Sequence, residues 1–389
     1  MLWQHYVFRR GQEIHPTWDL LFEHRPTRLL YIAGLGFDVR AQAVMRAFVE
    51  NLREARPVIE QANLLLVGFT GYELSNELRE QTDENGRVLA ELFKVLGDTT
   101  TVSIGSSIPG EEDISASTAL RLGTEQALTH LDQQTDVVLD VSSLPRVVYL
   151  ALMTAILHKL IPNKAAPNAL FANGVNFQVL VAEDASLDAR IRSEDPSNDL
   201  ILIPGFSSAL HAESFQDWPL VWFPILGENK VGQLQKVMGL AIPPNAEICP
   251  VLPHPSRDPR RADRLLGEYR QPLFDARQTP TTNILLAHES HPFEAYRQLL
   301  SAMMRYRESM QIMGGCRLVV TPLASKLITL GAGLACFEMR PPDMNADFGV
   351  AIPYAEPTRY VVSVEALRES KPEISALILT GDAYDDRAP

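Results

Sequence analysis

The segment from Thr135 to Lys159 constrains the fold of this chain more than any other part of the sequence. Residues 137–139 (VVL) form a short apolar run that suits a strand buried on both faces. Two serines then precede Pro145, which is typical of a helix start, because a hydroxyl can cap backbone N–H groups and proline lacks one. Apolar residues recur nearly all round over residues 147–160. The segment therefore predicts a buried strand, a polar corner and a largely buried helix.

The corner between that strand and helix carries a carboxylate, two hydroxyls and a guanidinium. These side chains belong to Asp140, Ser142, Ser143 and Arg146. They would lie beside the positive end of a helix dipole, which favours negative charge. The corner is therefore a candidate site for an anionic or polar ligand.

The same order of strand, polar corner and helix recurs along the chain. Residues 28–33 (RLLYIA) lead into GLGFDVR at 34–40, which is typical of nucleotide-binding α/β folds, although the third glycine of the full motif is absent. A tight turn that needs two glycines is the structural alternative. In the second half, polar corners follow strands expected at residues 200–203, 220–223, 248–252, 284–287 and 318–320.

Strands that alternate with helices at this spacing predict mostly parallel sheets flanked by helices. We therefore expect an α/β fold of two Rossmann-like halves. The charged segment 190–198 contains Pro196 and is the expected boundary, giving one domain over residues 1–195 and another over 196–389. Ligands of such sheets bind outside the carboxyl ends of the strands, so the corners are expected to share one edge.

Charge and composition narrow the classes of function. The chain has 389 residues and a net charge of −13, so no overall positive field favours non-specific binding to nucleic acid or to an anionic membrane. No apolar run approaches a membrane span, and the first ten residues lack the apolar core of a signal peptide. The three cysteines lie far apart in apolar sequence, which favours buried, reduced thiols and a cytoplasmic location.

Three histidines follow predicted strands and are the candidate proton carriers: His254, His288 and His291. Two of them precede proline, so the structural alternative is that they stabilise helix entries by capping. His288, Glu289 and His291 are close in sequence, but no strong metal motif such as HExxH is present, and we expect no metal site. The sequence indicates no particular cofactor, and no G-x-S-x-G nucleophile elbow is present.

Basic side chains in the corners are the candidate anion ligands. Lys326 follows Ser325 at a predicted helix start, an arrangement that can bind phosphate or supply a nucleophile with its base. Arg40, Arg146 and Arg257 each follow a strand and can bind a phosphate or carboxylate in a bidentate manner. Each has an aspartate nearby (Asp38, Asp140 and Asp258), so internal ion pairs are the structural alternative.

Three corner sequences carry a resemblance to a known group of proteins. GFDVR at 36–40, DVSSLPR at 140–146 and TPLASKLITLGAGLA at 321–335 are similar to uncharacterised Rossmann-like α/β proteins of bacteria, which are associated with phage-defence gene neighbourhoods. The resemblance implies an intracellular bacterial protein that acts with neighbouring gene products and senses or processes a nucleotide. It carries over no catalytic residue.

Two functional hypotheses follow. In the first, the protein binds a nucleotide or another phosphorylated small molecule at the strand-end corners, with hydrolysis or transfer of a phosphoryl or glycosyl group as a further step. In the second, it is a non-enzymatic sensor or scaffold subunit that binds a partner protein in a multi-protein, defence-type system. The first predicts a pocket where Lys326, Arg146 and a corner histidine meet, and the second predicts corner side chains already paired with each other.

Overall fold

The computed structural model describes residues 1–23, 25–105, 115–188, 190–211, 216–340 and 349–385. The chain forms two compact units. Unit 1 comprises Met1–Arg192 and Tyr360–Pro389, and unit 2 comprises Ser193–Arg359.

The described strands and helices alternate through most of the chain. The strands are β1 (Val7–Arg10), β2 (Thr27–Leu35), β3 (Ile59–Phe69), β4 (Asp98–Ile104), β5 (Asp136–Asp140), β6 (Asn176–Glu183), β7 (Arg192–Pro196), β8 (Ile201–Leu202), β9 (Leu220–Ile225), β10 (Glu247–Ile248), β11 (Val251–Pro253), β12 (Leu285–Ala287), β13 (Arg317–Pro322), β14 (Val350–Ala351), β15 (Pro353–Tyr354), β16 (Pro357–Val361) and β17 (Glu373–Thr380). The helices are α1 (Ile14–Glu23), α2 (Arg40–Ala55), α3 (Asn76–Phe93), α4 (Ala116–Leu128), α5 (Arg146–Leu160), α6 (Ala185–Asp188), α7 (Ser208–His211), α8 (Val231–Ala241), α9 (Arg261–Glu268), α10 (Pro292–Ser309), α11 (Lys326–Met339) and α12 (Val364–Arg368).

Unit 1 is built on a seven-stranded sheet in the order β1-β17-β6-β5-β2-β3-β4. Strands β6, β5, β2, β3 and β4 are parallel, whereas β17 is antiparallel to both β6 and β1. The parallel strands have the Rossmann order, in which the first strand of the series lies between the second and the fourth. The topological switch point of this sheet therefore lies between β2 and β5.

Both faces of the central strands are buried. Leu29, Tyr31 and Ala33 of β2 point into a core that also contains residues of α1, α2 and α3. The alternating residues Leu30 and Ile32 are buried as well, as expected for a strand covered on both faces. The predicted buried strand at residues 137–139 is the centre of β5, whose five residues are all buried.

The C-terminal segment departs from the sequence-based domain division, which placed residues 360–389 in the second domain. Strand β17 instead pairs with β6 and β1 in unit 1, and the Trp3 indole donates a hydrogen bond of 2.9 Å to the Leu379 carbonyl. The neighbours of this strand lie hundreds of residues away in the sequence, and local sequence does not specify them.

Unit 2 repeats the parallel order on a smaller sheet. Its strands run β12-β11-β9-β13-β14, with β10 also beside β9. All of these pairings are parallel, and the switch point lies between β9 and β13. Taken with unit 1, this arrangement confirms the predicted class, an α/β fold with mostly parallel sheets flanked by helices.

Among the described helices, none combines the length and apolar composition that a membrane crossing requires.

A polar cluster joins strand starts in unit 1. The Asn176 amide donates hydrogen bonds to Asp136 (2.9 Å) and Asp382 (3.1 Å), and its oxygen accepts the Asp382 N–H at 2.8 Å. Gly381 lies against Asn176 with φ of +103° and ψ of −156°, a conformation that essentially only glycine adopts. The turn after β17 therefore depends on glycine for both its conformation and its packing.

Replacing Gly381 by alanine is expected to destabilise the protein by about 3 kcal/mol or more, because backbone strain adds to a collision with Asn176. Gly174→Ala is the matched control. Gly174 also has a positive φ (+60°), but nothing lies within 4 Å of an added Cβ, so we expect a cost of about 1–2 kcal/mol. Urea denaturation measures both, and equal losses would contradict the packing role assigned to Gly381.

Candidate functional site

In unit 1 the corners at the switch point touch each other directly. The Ser143 hydroxyl donates a hydrogen bond of 2.8 Å to the Gly34 carbonyl. A Cβ on Gly34 would lie 2.8 Å from that hydroxyl, and one on Gly36 would lie 2.9 Å from the Ser143 carbonyl. The two glycines of the GLG sequence therefore allow the backbone of Ser143 to approach the end of β2 closely. Ser143, which follows β5, fills the space beside these glycines.

The buried polar groups after β5 bind to the protein. Asp140 accepts hydrogen bonds from the Ser142 N–H at 2.9 Å and the Tyr31 hydroxyl at 3.2 Å. Burial first, and then the Asp140 carboxylate, raise the pKa of Tyr31 well above its ordinary value. The Ser142 hydroxyl accepts the Ala182 N–H of β6 at 2.9 Å. The predicted cap by these serines is thus wrong, because both hydroxyls bind neighbouring strands and α5 begins at Arg146, after Pro145.

Asp38 and Arg40 form the internal ion pair that was the structural alternative for this corner. Arg40 is 3% exposed, and its guanidinium lies 2.7 Å from Asp38 and 2.7 Å from Asp188. Burial acts to lower the pKa of Arg40, but the two carboxylates outweigh it and raise that pKa above its ordinary value. These charges hold the start of α2 against α6. Arg146 is half-buried at the start of α5.

Asn85 is a site residue that the sequence did not reveal. Its buried amide donates hydrogen bonds to the carbonyls of Gly36 (2.7 Å) and Asp38 (2.9 Å) and accepts one from Gln42 (2.7 Å). Its position on the buried face of α3 is the sequence feature that could have identified it. That face carries a stripe with helical spacing: Leu78, Gln81, Asn85 and Leu89.

In unit 2, Arg261 connects the corners after three strands. Its guanidinium binds Glu228, after β9, through two hydrogen bonds of 2.5 and 2.7 Å, and it also binds Glu289, after β12. Glu289 in turn accepts the Arg257 N–H, after β11, at 2.9 Å. Burial acts to raise the pKa of Glu228, but Arg261 outweighs it and the pKa is lowered. A bidentate guanidinium–carboxylate pair fixes geometry as well as charge.

The corner after β13 joins the same network. Ser325 precedes the first residue of α11, and its hydroxyl donates to the Glu289 carbonyl at 3.4 Å. Lys326, the first residue of that helix, is half-buried. Gly227 packs so closely on the Leu323 carbonyl that a side chain there would collide with backbone. Corners from four strands therefore meet at the carboxyl edge of this sheet.

His288 and His291 lie side by side at this edge. Their ring centroids are 5.9 Å apart, and each Nδ1 accepts a backbone N–H, from Ser290 at 3.2 Å and from Glu294 at 3.3 Å. A neutral imidazole that accepts at Nδ1 carries its proton on Nε2. His291 caps α10 through this bond, as the structural alternative predicted. The pKa of His291 is lowered, chiefly by burial.

The candidate residues thus divide between the units. Unit 1 contains Asp38, Arg40, Asp140, Ser142, Ser143 and Arg146, and unit 2 contains His254, Arg257, His288, His291, Ser325 and Lys326. In unit 2, hydrogen bonds connect the corners that contain Arg257, His288, His291, Ser325 and Lys326.

The His254 side chain is exposed, while its backbone N–H binds the Ala287 carbonyl. Asp258 pairs with Arg264 at 2.6 Å.

Arg261 and Glu228 were missed because neither residue is distinctive by itself. They are 33 positions apart, and only the parallel order of the sheet brings them together.

Among the described residues, histidine, cysteine, aspartate and glutamate side chains form no group of three or more that could hold a metal ion.

Fold and corners together define an α/β protein with Rossmann-like strand order in both units. The chain matches no protein-family model and no curated protein. A search of solved structures finds a protein of Listeria monocytogenes that is provisionally assigned as a UDP-N-acetylglucosamine 2-epimerase. It is 13% identical, the similarity covers 77% of this chain and 74% of that chain, and the TM-score is 0.23.

Arg261→Met is expected to destabilise the protein by about 2 kcal/mol, because it leaves two partly buried carboxylates without their cation. Arg264→Met on the same helix is the matched control, since both members of its pair with Asp258 are exposed. We expect this control to change stability by less than about 1 kcal/mol. Urea denaturation at pH 7 compares the two variants, and similar losses would contradict the connecting role of Arg261.

The partial burial of the His291 imidazole makes stability depend on pH. The folded state holds the pKa of His291 below its ordinary value of about 6.5, so the unfolded chain binds the proton first. The stabilisation is therefore fully present above about pH 6.5 and is lost as pH falls from there through the lowered pKa. We expect His291→Asn, which retains a capping side chain, to flatten this part of the stability–pH profile. The exposed His254→Asn should retain the wild-type slope, and a wild-type slope in His291→Asn would rule out this origin.

Proposed function

We propose that the protein binds a phosphorylated small molecule, such as a nucleotide, at the carboxyl edge of the unit 2 sheet. The observation that carries the proposal is the position of Ser325 and Lys326 at the start of α11. The Ser325 hydroxyl ties this helix start to Glu289, beside the histidine pair. Lys326 and the positive end of the helix dipole then act on the same region.

The other corner residues have defined parts in this proposal. Arg257 and Lys326 would neutralise the phosphate charge, and His288 would donate a hydrogen bond through Nε2–H. The single positive charge of Arg261 offsets one of the two negative charges of Glu228 and Glu289, so these carboxylates repel an anion less than unpaired ones would. Because Nε2 of each imidazole carries a proton and each Nδ1 accepts a backbone N–H, both histidines are better placed to donate hydrogen bonds than to abstract protons. Binding is therefore the proposed role, ahead of phosphoryl or glycosyl transfer.

Thermal-shift measurements with inorganic phosphate, pyrophosphate and nucleoside mono-, di- and triphosphates test this proposal. A ligand at 100 times its Kd should stabilise the folded protein by about 2.7 kcal/mol. Lys326→Gln should weaken binding about tenfold or more, because a charge-assisted hydrogen bond contributes about 1.5–3 kcal/mol. Lys236→Gln, at a half-buried lysine of α8 that binds Asn198, is the control. The absence of any shift, or equal affinities in the two variants, would count against the proposal.

Unit 1 favours a second candidate, because its corner side chains bind other groups of the protein. The Asp38–Arg40–Asp188 and Ser143–Gly34 contacts fit a sensor or scaffold subunit whose strand-end edge is structural. The resemblance to proteins of phage-defence neighbourhoods adds to this candidate. It predicts that the purified full chain co-elutes with products of neighbouring genes in size-exclusion chromatography and gives no thermal shift with nucleotides. Separate elution together with a nucleotide-induced shift would reject it.

A further inference from the structure

Unit 1 contains a cavity of about 390 Å³, away from the corners at its switch point. Apolar side chains of Ile14 and Trp18 from α1, Ala47 from α2 and Ile374 from β17 line it, together with His15 and Lys371. Its volume falls within the range of about 300–1,000 Å³ that small-molecule sites occupy. The cavity is open to a ligand of modest size with a largely apolar body.

The apolar wall of this cavity is held in place. Trp18 is 1% exposed, and its indole N–H donates a 2.8 Å hydrogen bond to the Gln178 side chain. The Phe48 ring packs edge-to-face against Trp18 at 5.1 Å, and His15 does so at 5.7 Å. Trp18 is almost fully covered and its indole N–H already has a partner, so most of the accessible apolar surface of the cavity comes from the half-buried Ala47 and Ile374. A fixed wall of this kind reduces the ordering cost of binding.

The charges around the cavity are asymmetric. Glu373 lies 2.5 Å from the Arg10 guanidinium, so its charge is compensated within the protein. The backbone of Lys371 is anchored by its N–H bond of 2.9 Å to Asp184, and the residue is exposed. Lys371 therefore adds a positive charge beside an apolar wall.

We propose that this cavity binds a small molecule with an apolar ring or chain and one anionic head group, a carboxylate or a sulfonate. The apolar body would pack on Ala47 and Ile374 and on the small exposed parts of Trp18 and Ile14, and the head group would face Lys371. This site is independent of the phosphate site proposed for unit 2, since it uses none of the same residues.

Titration of the full chain with 8-anilinonaphthalene-1-sulfonate, whose fluorescence rises in apolar surroundings, tests the site. We expect saturable binding of one equivalent. Ala47→Phe should abolish it by filling the cavity, whereas Ala55→Phe, at the exposed end of the same helix, should bind as the wild type does. Lys371→Gln should weaken binding about tenfold, and Lys94→Gln, at an exposed lysine paired with Glu91, should not.

Competition separates the head group from the apolar body. 1-Naphthoate should displace the dye at a concentration at least tenfold lower than uncharged 1-naphthalenemethanol. Non-saturable dye binding, or wild-type binding in both Ala47→Phe and Lys371→Gln, would overturn the proposal. If Ala47→Phe does not fold, Lys371→Gln and the pair of competitors decide: unchanged dye affinity together with equal displacement would reject the site.

Discussion

Parallel strand pairing with both faces covered is the constraint on which the rest of this structure depends. Strands such as β2 and β5 are buried on both faces, so their backbone groups must pair within the sheet. Parallel strands that are connected through helices all end at the same edge. Polar residues that follow these strands therefore gather at one edge of each sheet, however far apart they lie in the sequence.

The two units have the same strand order but place different side chains at that edge. In unit 1 the approach of Ser143 to Gly34 and Gly36 brings two corners into contact, and Asn85 satisfies the remaining carbonyls. Such a corner gains rigidity because its polar groups bind each other. In unit 2, Arg261 spans Glu228 and Glu289 and leaves imidazole and lysine side chains around the start of α11. Topology thus decides where polar groups meet, and side-chain chemistry decides whether the meeting place is structural or suited to a ligand.

The sequence predicted what depends on local pattern. The apolar run at residues 137–139 was enough to identify a buried strand, and the alternation of strands and helices was enough for the fold class. It did not predict that β17 pairs with β6 and β1, since a strand's neighbours depend on contacts that local periodicity does not encode. The hydroxyl of Ser142 was misassigned for a similar reason. Its partner is a backbone N–H of β6, forty positions away, which competes with the helix start for the same oxygen.

Local charge at the unit 2 edge follows from pairing rather than from the net charge of −13. Glu228 and Glu289 would by themselves repel an anion, but Arg261 contacts both and offsets one of their two negative charges at short range. Charges beyond about 8–10 Å are screened at physiological ionic strength, so the acidic remainder of the chain matters little here. The overall charge therefore disfavours non-specific attraction of extended polyanions, while the arginine and its two carboxylates shape the local field beside Lys326 and His288. A residue that need not touch a ligand can in this way weaken the repulsion that an anion meets.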